Sequence, residues 1–158
     1  MQIRRATSHD KKELVRLIKE FETRNDYLSE KQKKIRAFAH FDQMVETSAQ
    51  KHIAEHITFV ANEEGMLKGF VSGEIHEKKY RVYNKEGYIS DWFVEEASRS
   101  QGVGKQLFDS LTEFFKKSGC THIGLQTHLD NKKAIEIYEH MGFTKKLVTF
   151  FKPLKRLS

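Results

Sequence analysis

Residue types and spacing first suggest chemistry in the stretch Arg99-Ser100-Gln101-Gly102-Val103-Gly104-Lys105. It joins a strand-like run ending in Trp92-Phe93-Val94 to a helix-like run whose Val103, Leu107, Leu111, Phe114 and Phe115 share one side. Two glycines two positions apart remove Cβ atoms where a backbone must turn sharply and a ligand must come close. The first amides of a helix lack intrahelical partners and carry the positive end of its dipole, so such a start binds phosphate. Arg99 and Lys105 add charge beside it. Two other phosphate patterns fail on spacing. A P-loop requires a glycine where Arg99 stands and a serine or threonine where Gln106 stands; a dinucleotide fingerprint requires a glycine at Leu107.

The elements that must position this loop are legible from periodicity. Residues 3–6 read as a strand, and Thr7-x-x-Asp10 reads as a capping box before a helix carrying Leu14, Leu17, Ile18 and Phe21. Ser29-x-x-Gln32 offers a second cap, with Ile35, Phe38, Asp42 and Val45 on a less regular helix. Residues 57–61 and 66–75 read as a hairpin about Asn62-Glu63-Glu64-Gly65. Residues 87–94 form a strand, 103–117 a helix ended by Ser118-Gly119, and 122–126 a strand. Residues 131–141 form a helix ended by Gly142, and 143–151 a last strand. The order β-α-α-β-β-β-α-β-α-β implies an α/β (α+β) fold with a mixed, mostly antiparallel central sheet covered by helices on both faces. No repeat or linker interrupts the chain, so residues 1–158 are expected to be one domain.

The segment R-x-x-G-x-G at the start of a helix resembles the acetyl-coenzyme A pyrophosphate loop of the GNAT N-acetyltransferase superfamily, [Q/R]-x-x-G-x-[G/A]. Asn131-x-x-Ala134-Ile135-x-Ile137-Tyr138-x-x-x-Gly142-Phe143 is similar to that family's second signature, and Ile89-Ser90-Asp91-Trp92-Phe93-Val94 to its fourth strand. The resemblance implies acetyl-CoA as co-substrate and a single acetyltransferase domain with no metal. Phe93 and Val94 would lend backbone groups to the pantetheine arm, and Arg99, Ser100, Gln101, Gly102, Val103, Gly104 and Lys105 would cradle the pyrophosphate. Asn131 would contact the cofactor. Tyr138 would reach the sulfur as general acid. Phe21, Tyr27 and Trp92 would line an acceptor pocket; ordinary packing is the competing reading for each.

Acetyl transfer to an amine requires the amine to lose a proton, an oxyanion donor (a backbone N–H near Val94), and a proton for the leaving thiolate. The base is where the chain departs from the family. Relatives acting on polyamines carry a carboxylate in the fourth strand, and its position here is Ser90. Strand alternation is expected to turn Asp91 to the other face. That leaves ordered water, Glu74 or Glu86. The acceptor is expected to be a primary amine of a small molecule, with a protein or peptide amine as the alternative. A cofactor-binding protein without turnover is a further alternative, and homodimers are common in the family.

Composition excludes several classes. The chain has 158 residues, a net charge of +6 and a pI near 9.3. A single cysteine, Cys120, excludes an internal disulfide. No apolar run spans a membrane and the polar start lacks a signal-peptide core, so a cytoplasmic protein is expected. The charge alone fits a nucleic-acid-binding module. However, basic residues are not interleaved with aromatic ones, and the excess is densest in residues 101–158, with 10 basic and 5 acidic side chains. Phosphate binding therefore accounts for it better than nucleic acid. His52 and His56, at i and i+4, have helical metal-ligand spacing but no third ligand in sequence. His122, His128 and Cys120 read as packing or surface residues, and Lys31 to Arg36 as a solvated helix face.

Overall fold

The computed structural model describes residues 1–23 and 40–154 and divides the chain into two units, Met1–Gln126 and Thr127–Ser158. The first unit holds β1 (Gln2–Arg5), α1 (Lys11–Thr23), α2 (Phe41–Ala54), β2 (Ile57–Glu63), β3 (Met66–Glu77), β4 (Lys85–Val94), α3 (Val103–Lys117) and β5 (His122–Leu125). The strands lie in the order β1-β2-β3-β4-β5, antiparallel throughout except for the parallel β4–β5 pair. Helices cover both faces, as expected. On one face Leu14, Leu17 and Ile18 of α1 and Val45 and Ala49 of α2 pack with Val60, Leu67, Phe70 and Phe93. On the other, Val103, Leu107, Leu111 and Phe115 of α3 pack with Ala61, Val71 and Ile89. Burial of these stripes is what makes the helices stable.

Local signals set the turns. The β2–β3 hairpin turns on Glu64 (φ 50°) and Gly65 (φ 87°), the paired positive φ values that match strand twist in a two-residue turn. Thr7 N–H donates to Asp10 Oδ2 at 2.7 Å and the Thr7 side chain accepts from the Asp10 backbone N–H, so the capping box forms. Arg4 adds a fork of two 2.8 Å bonds to the same carboxylate. These bonds hold Asp10 below the usual carboxylate range, the Arg4 fork most of all. The carboxylate thus contributes stability above its unfolded pKa of about 3.9 and loses that contribution as pH falls through the lower folded value. Asp10→Ala is expected to cost about 2–3 kcal/mol, from a lost cap and a lost charged fork. A lower urea midpoint at pH 7, with the gap narrowing below about pH 4, checks it.

The second unit holds α4 (Lys132–His140), with Gly142 at φ 88° just beyond it. The strand expected over residues 143–151 is absent: none of them is in a strand. Leu147-Val148 and Phe150-Phe151 are adjacent apolar pairs, which a pleat cannot place on one face, and all four are exposed. The observed order therefore ends in a helix. The cap at Ser29 to Gln32, with Ile35, Phe38 and the basic cluster at 31–36, lies outside the described residues. Among the described residues, no helix is long and apolar enough to cross a membrane.

Candidate active site

β4 and β5 stay paired from Glu86↔His122 to Ile89↔Leu125, where β5 ends. β4 continues to Val94, held on its other side by β3 as far as Gly69↔Val94. The pairing therefore stops at Ile89, and residues 90–94 present one backbone edge with no ladder partner among the described residues. Such an edge pairs readily with an extended ligand.

The chain leaves that edge through a short turn at Glu96–Ser98 and enters α3. Gly102 is the residue before α3 and sits at φ 78°, a left-handed conformation that a side chain would strain. Ser100 shares it at φ 61°. Gly104 is a different case. A Cβ there would meet Trp92 Nε1 and Val94 Cγ2 at 3.6 Å, ordinary contact, so the protein's own packing does not require glycine. Close approach from outside is the remaining reason for it.

No side chain caps α3. Arg99 Nε donates to the Val94 carbonyl at 3.0 Å, and its guanidinium lies 5.7 Å above the Phe93 ring. Gln101 Nε2 donates to the Ala97 carbonyl, and Lys105 pairs with Asp109 one turn on. These side chains shape the loop, while the first amides of α3 supply the positive end that faces an anion.

Asp91 corrects the sequence expectation. Ser72 pairs with Asp91, but Gly73 pairs with Ile89, so Ser90 is an extra residue in β4, a bulge. The bulge changes the parity of the strand. Ile89 lies in the α3-side core, whereas Phe93 lies in the core under α1 and α2. Asp91 shares the face of Phe93, with Oδ2 3.3 Å from His52 Nε2 of α2. Ser90 instead turns its hydroxyl onto the Ser72 carbonyl at 3.2 Å.

Around Asp91 lies a buried polar chain. His52 Nδ1 and His56 Nδ1 are 3.0 Å apart, and Ser72 Oγ sits 3.2 and 3.3 Å from them respectively. Thr58 Oγ1 donates to the His52 carbonyl at 2.6 Å and lies 2.8 Å from Ser72 Oγ. His56 Nε2 is 2.7 Å from Glu74 Oε1, an ion-pair distance not aligned for a hydrogen bond. Glu74 in turn contacts His76, and Glu86 lies between His76 and His122.

Burial pushes His52 down to about 4, with His56 and Lys51 adding to the effect. It pushes Asp91 up, and it also raises Glu22 of α1, which feels the Asp91 charge. Glu74 is held low, chiefly by its bond from His76. A histidine whose folded pKa is depressed stabilises the fold above its unfolded value of about 6.5, and this contribution is lost as pH falls toward 4. The urea midpoint is expected to fall between pH 7 and 4 in the native chain, and less steeply in His52→Gln.

Other expected residues are separated or reassigned. Phe21 packs 5.8 Å from Phe93 in the α1/α2 core, whereas Trp92 stacks on Phe108 of α3 at 5.3 Å. Consecutive β4 residues face opposite ways, so Phe21 and Trp92 line no common pocket. Tyr27 lies outside the described residues. Within the second unit, Asn131 caps α4, accepting from Ala134 N–H at 3.3 Å and donating to Thr127 Oγ1 at 3.2 Å. Tyr138 packs edge-on to Phe143 at 6.0 Å. His52 and His56 face each other, and no cluster of metal-ligating side chains occurs among the described residues. Sequence reasoning missed Thr58 and Ser72 and set Asp91 on the wrong face; Glu74 stood among its candidate bases, and the i, i+4 histidines were a second hint.

A mixed sheet with one parallel pair and helices on both faces is the class of fold that these elements define. The acetyltransferase (GNAT) family profile matches residues 16–143, and the chain belongs to that family. It is 31% identical over 90 residues to the uncharacterized N-acetyltransferase MJ1207 of Methanocaldococcus jannaschii, covering 57% of this chain and 40% of that one. It is 32% identical over 66 residues to N-alpha-acetyltransferase 30 of Saccharomyces cerevisiae, covering 42% and 38%. The chain thus spans less than half the length of these curated relatives. In fold it is similar to a variant BH1408 protein of Bacillus halodurans, with TM-score 0.81, 22% identity, and 98% and 100% of the two chains covered. It is also similar to AAC(6')-Iy in complex with the bisubstrate analog CoA-S-monomethyl-acetylneamine, with TM-score 0.73, 20% identity, and 99% and 98% covered.

Proposed function

We propose that this protein moves an acetyl group from acetyl-CoA to a primary amine of a small cationic molecule, by direct attack through a tetrahedral intermediate. The observation that carries the reading is the unpaired edge of β4 beyond the end of β5, beside the Gly102–Gly104 start of α3. The open edge at Phe93 and Val94 suits an amide-bearing arm, and the cradle at Gly104, where a side chain would occupy the approach, suits a diphosphate. Residues 99–105 would hold the diphosphate, with Asn131 as a further contact. Acetyl-CoA would supply an activated thioester; an N–H near Val94 would meet the oxyanion, and the family resemblance makes Tyr138 the donor of a proton to the departing sulfur.

Acidic groups favour a cationic acceptor. Glu22, Asp91 and Glu74 sit close enough to influence one another's charge on the α1/α2 face. The likeness to N-alpha-acetyltransferase 30 makes peptide amines the second class to test. Thiol release from acetyl-CoA, followed across polyamines, aminoglycosides, amino acids and peptides, is expected to be fastest with a polycationic small molecule. Turnover confined to peptide N-termini would replace that substrate class, and none with any amine would leave a cofactor-binding protein.

A further inference from the structure

We infer that the loop joining β3 to β4, residues 78–84, docks the protein on a lipid bilayer bearing anionic headgroups. Val82 enters the hydrocarbon, Tyr80 and Tyr83 sit at its boundary, and Lys78, Lys79 and Arg81 meet the headgroups. The inference is independent of which amine the protein acetylates.

The stretch Lys78-Lys79-Tyr80-Arg81-Val82-Tyr83-Asn84-Lys85 corrects one sequence expectation, because here basic residues do alternate with aromatic and apolar ones. Four of the seven basic side chains of residues 51–100 fall in these eight positions, which hold no acidic one. Exposure is concentrated in the same place. Tyr80 is 79% exposed, Val82 93% and Tyr83 69%. The other large apolar side chains exposed in the first unit are Met1, Met44 and Met66, widely spaced along the chain. Exposed apolar residues are ordinary when scattered; three within four positions, flanked by charge of one sign, mark an interaction surface.

Backbone bonds hold this display in place. Lys78 N–H donates to the Asn84 carbonyl at 2.6 Å and closes the loop at its base; Arg81 N–H donates to the Lys78 carbonyl at 2.9 Å and turns the chain. The Arg81 guanidinium lies 5.4 Å over the Tyr80 ring, and Tyr83 packs edge-on to His122 of β5 at 5.6 Å. Lys85 pairs with Glu77 at 3.4 Å, whereas among the described residues no ion pair holds Lys78, Lys79 or Arg81. Lys116 and Lys117 add charge at this end of the sheet. They close α3, and the turn after them returns to the base of the loop, where Thr121 N–H donates to the Lys85 carbonyl at 2.8 Å. Lys85 opens β4, and the unpaired edge lies at the other end of that ten-residue strand, about 30 Å away. A surface at the loop therefore leaves the Gly102–Gly104 cradle clear.

Val82 decides between a bilayer and a nucleic acid. Single strands are held by planar rings that stack on bases, and a branched aliphatic side chain offers neither a flat face nor a polar atom. One face of the Tyr80 ring is also covered by Arg81. Hydrocarbon, in contrast, favours burial of valine. Tyrosine places its ring in the interface and its hydroxyl in water, and lysine and arginine reach headgroups along apolar stems.

The test is co-sedimentation of the full chain with vesicles of phosphatidylcholine alone and of phosphatidylcholine with phosphatidylserine, at physiological ionic strength. Binding is expected to be at least about tenfold tighter to the anionic vesicles, since each basic residue near such a surface contributes roughly fivefold. Lys79→Gln combined with Arg81→Gln is expected to weaken it about 25-fold. Val82→Asn, which changes no charge, is expected to weaken it about tenfold. In Val82→Trp, nitroxide-labelled acyl chains should quench the new indole. All these positions are exposed, so thermal midpoints that match the native one show the fold intact. No preference for anionic vesicles, equal binding by Val82→Asn, or an unquenched indole would overturn the inference. So would binding, in place of vesicles, to a single-stranded oligonucleotide or to a second copy of the chain that the same variants abolish.

Discussion

Tyr138→Phe is expected to lower kcat about 100- to 10,000-fold, the range for removing a positioned general acid, while the affinity for acetyl-CoA stays within a few-fold. The argument starts from the leaving group. A thiol of pKa about 8.5 departs as thiolate and is stabilised by a nearby hydroxyl proton that a phenol of pKa about 10 still carries at pH 7. Phenylalanine removes that hydroxyl. It keeps the ring that packs edge-on to Phe143, so α4 and the turn at Gly142 keep their support. A fall in kcat with an unchanged thermal midpoint therefore reports chemistry rather than unfolding. An unchanged kcat removes Tyr138 from the mechanism.

Gly104→Asp is expected to weaken acetyl-CoA binding at least about 100-fold, roughly 2.7 kcal/mol, without destabilising the protein. Position 104 is the second residue of α3, where a carboxylate interacts favourably with the helix dipole by about 0.3–1 kcal/mol. The new Cβ meets Trp92 and Val94 at ordinary contact distance. The fold therefore tolerates the change, and the thermal midpoint holds or rises. A bound diphosphate would meet a negative charge where backbone must approach it, and binding and stability move in opposite directions. Gly104→Ala separates size from charge: it should weaken binding by the cost of the Cβ alone, less than Gly104→Asp does. Calorimetric titration reads all three proteins; a Kd for Gly104→Asp within threefold of native would place the diphosphate elsewhere.

Much of this site was legible because its signals are local. The capping box at Thr7 and Asp10, the hairpin turn at Glu64-Gly65 and the apolar stripe of α3 each depend on residues a few positions apart, and all three form. The loop at 99–105 was legible for the same reason. The last strand was not. Residues 143–151 carry strand-forming types, but a strand exists only with a ladder partner and a face to bury, and neither is a property of the segment itself. The place of the histidine pair was not legible either. Its i, i+4 spacing came with no third metal ligand in sequence, and the folded chain sets the two rings against each other and Ser72, a residue 16 and 20 positions away.

The sequence by itself determined the family, the glycine-shaped helix start and the order of the elements that present it. Tertiary structure decided where Asp91 points. Alternation along β4 alone turns it away from the site of the missing carboxylate. The extra residue at Ser90 resets that alternation, and a bulge is defined only by how β3 pairs with β4. The pairing sets Asp91 beside His52, a neighbour 39 positions away that the strand's own alternation does not reveal.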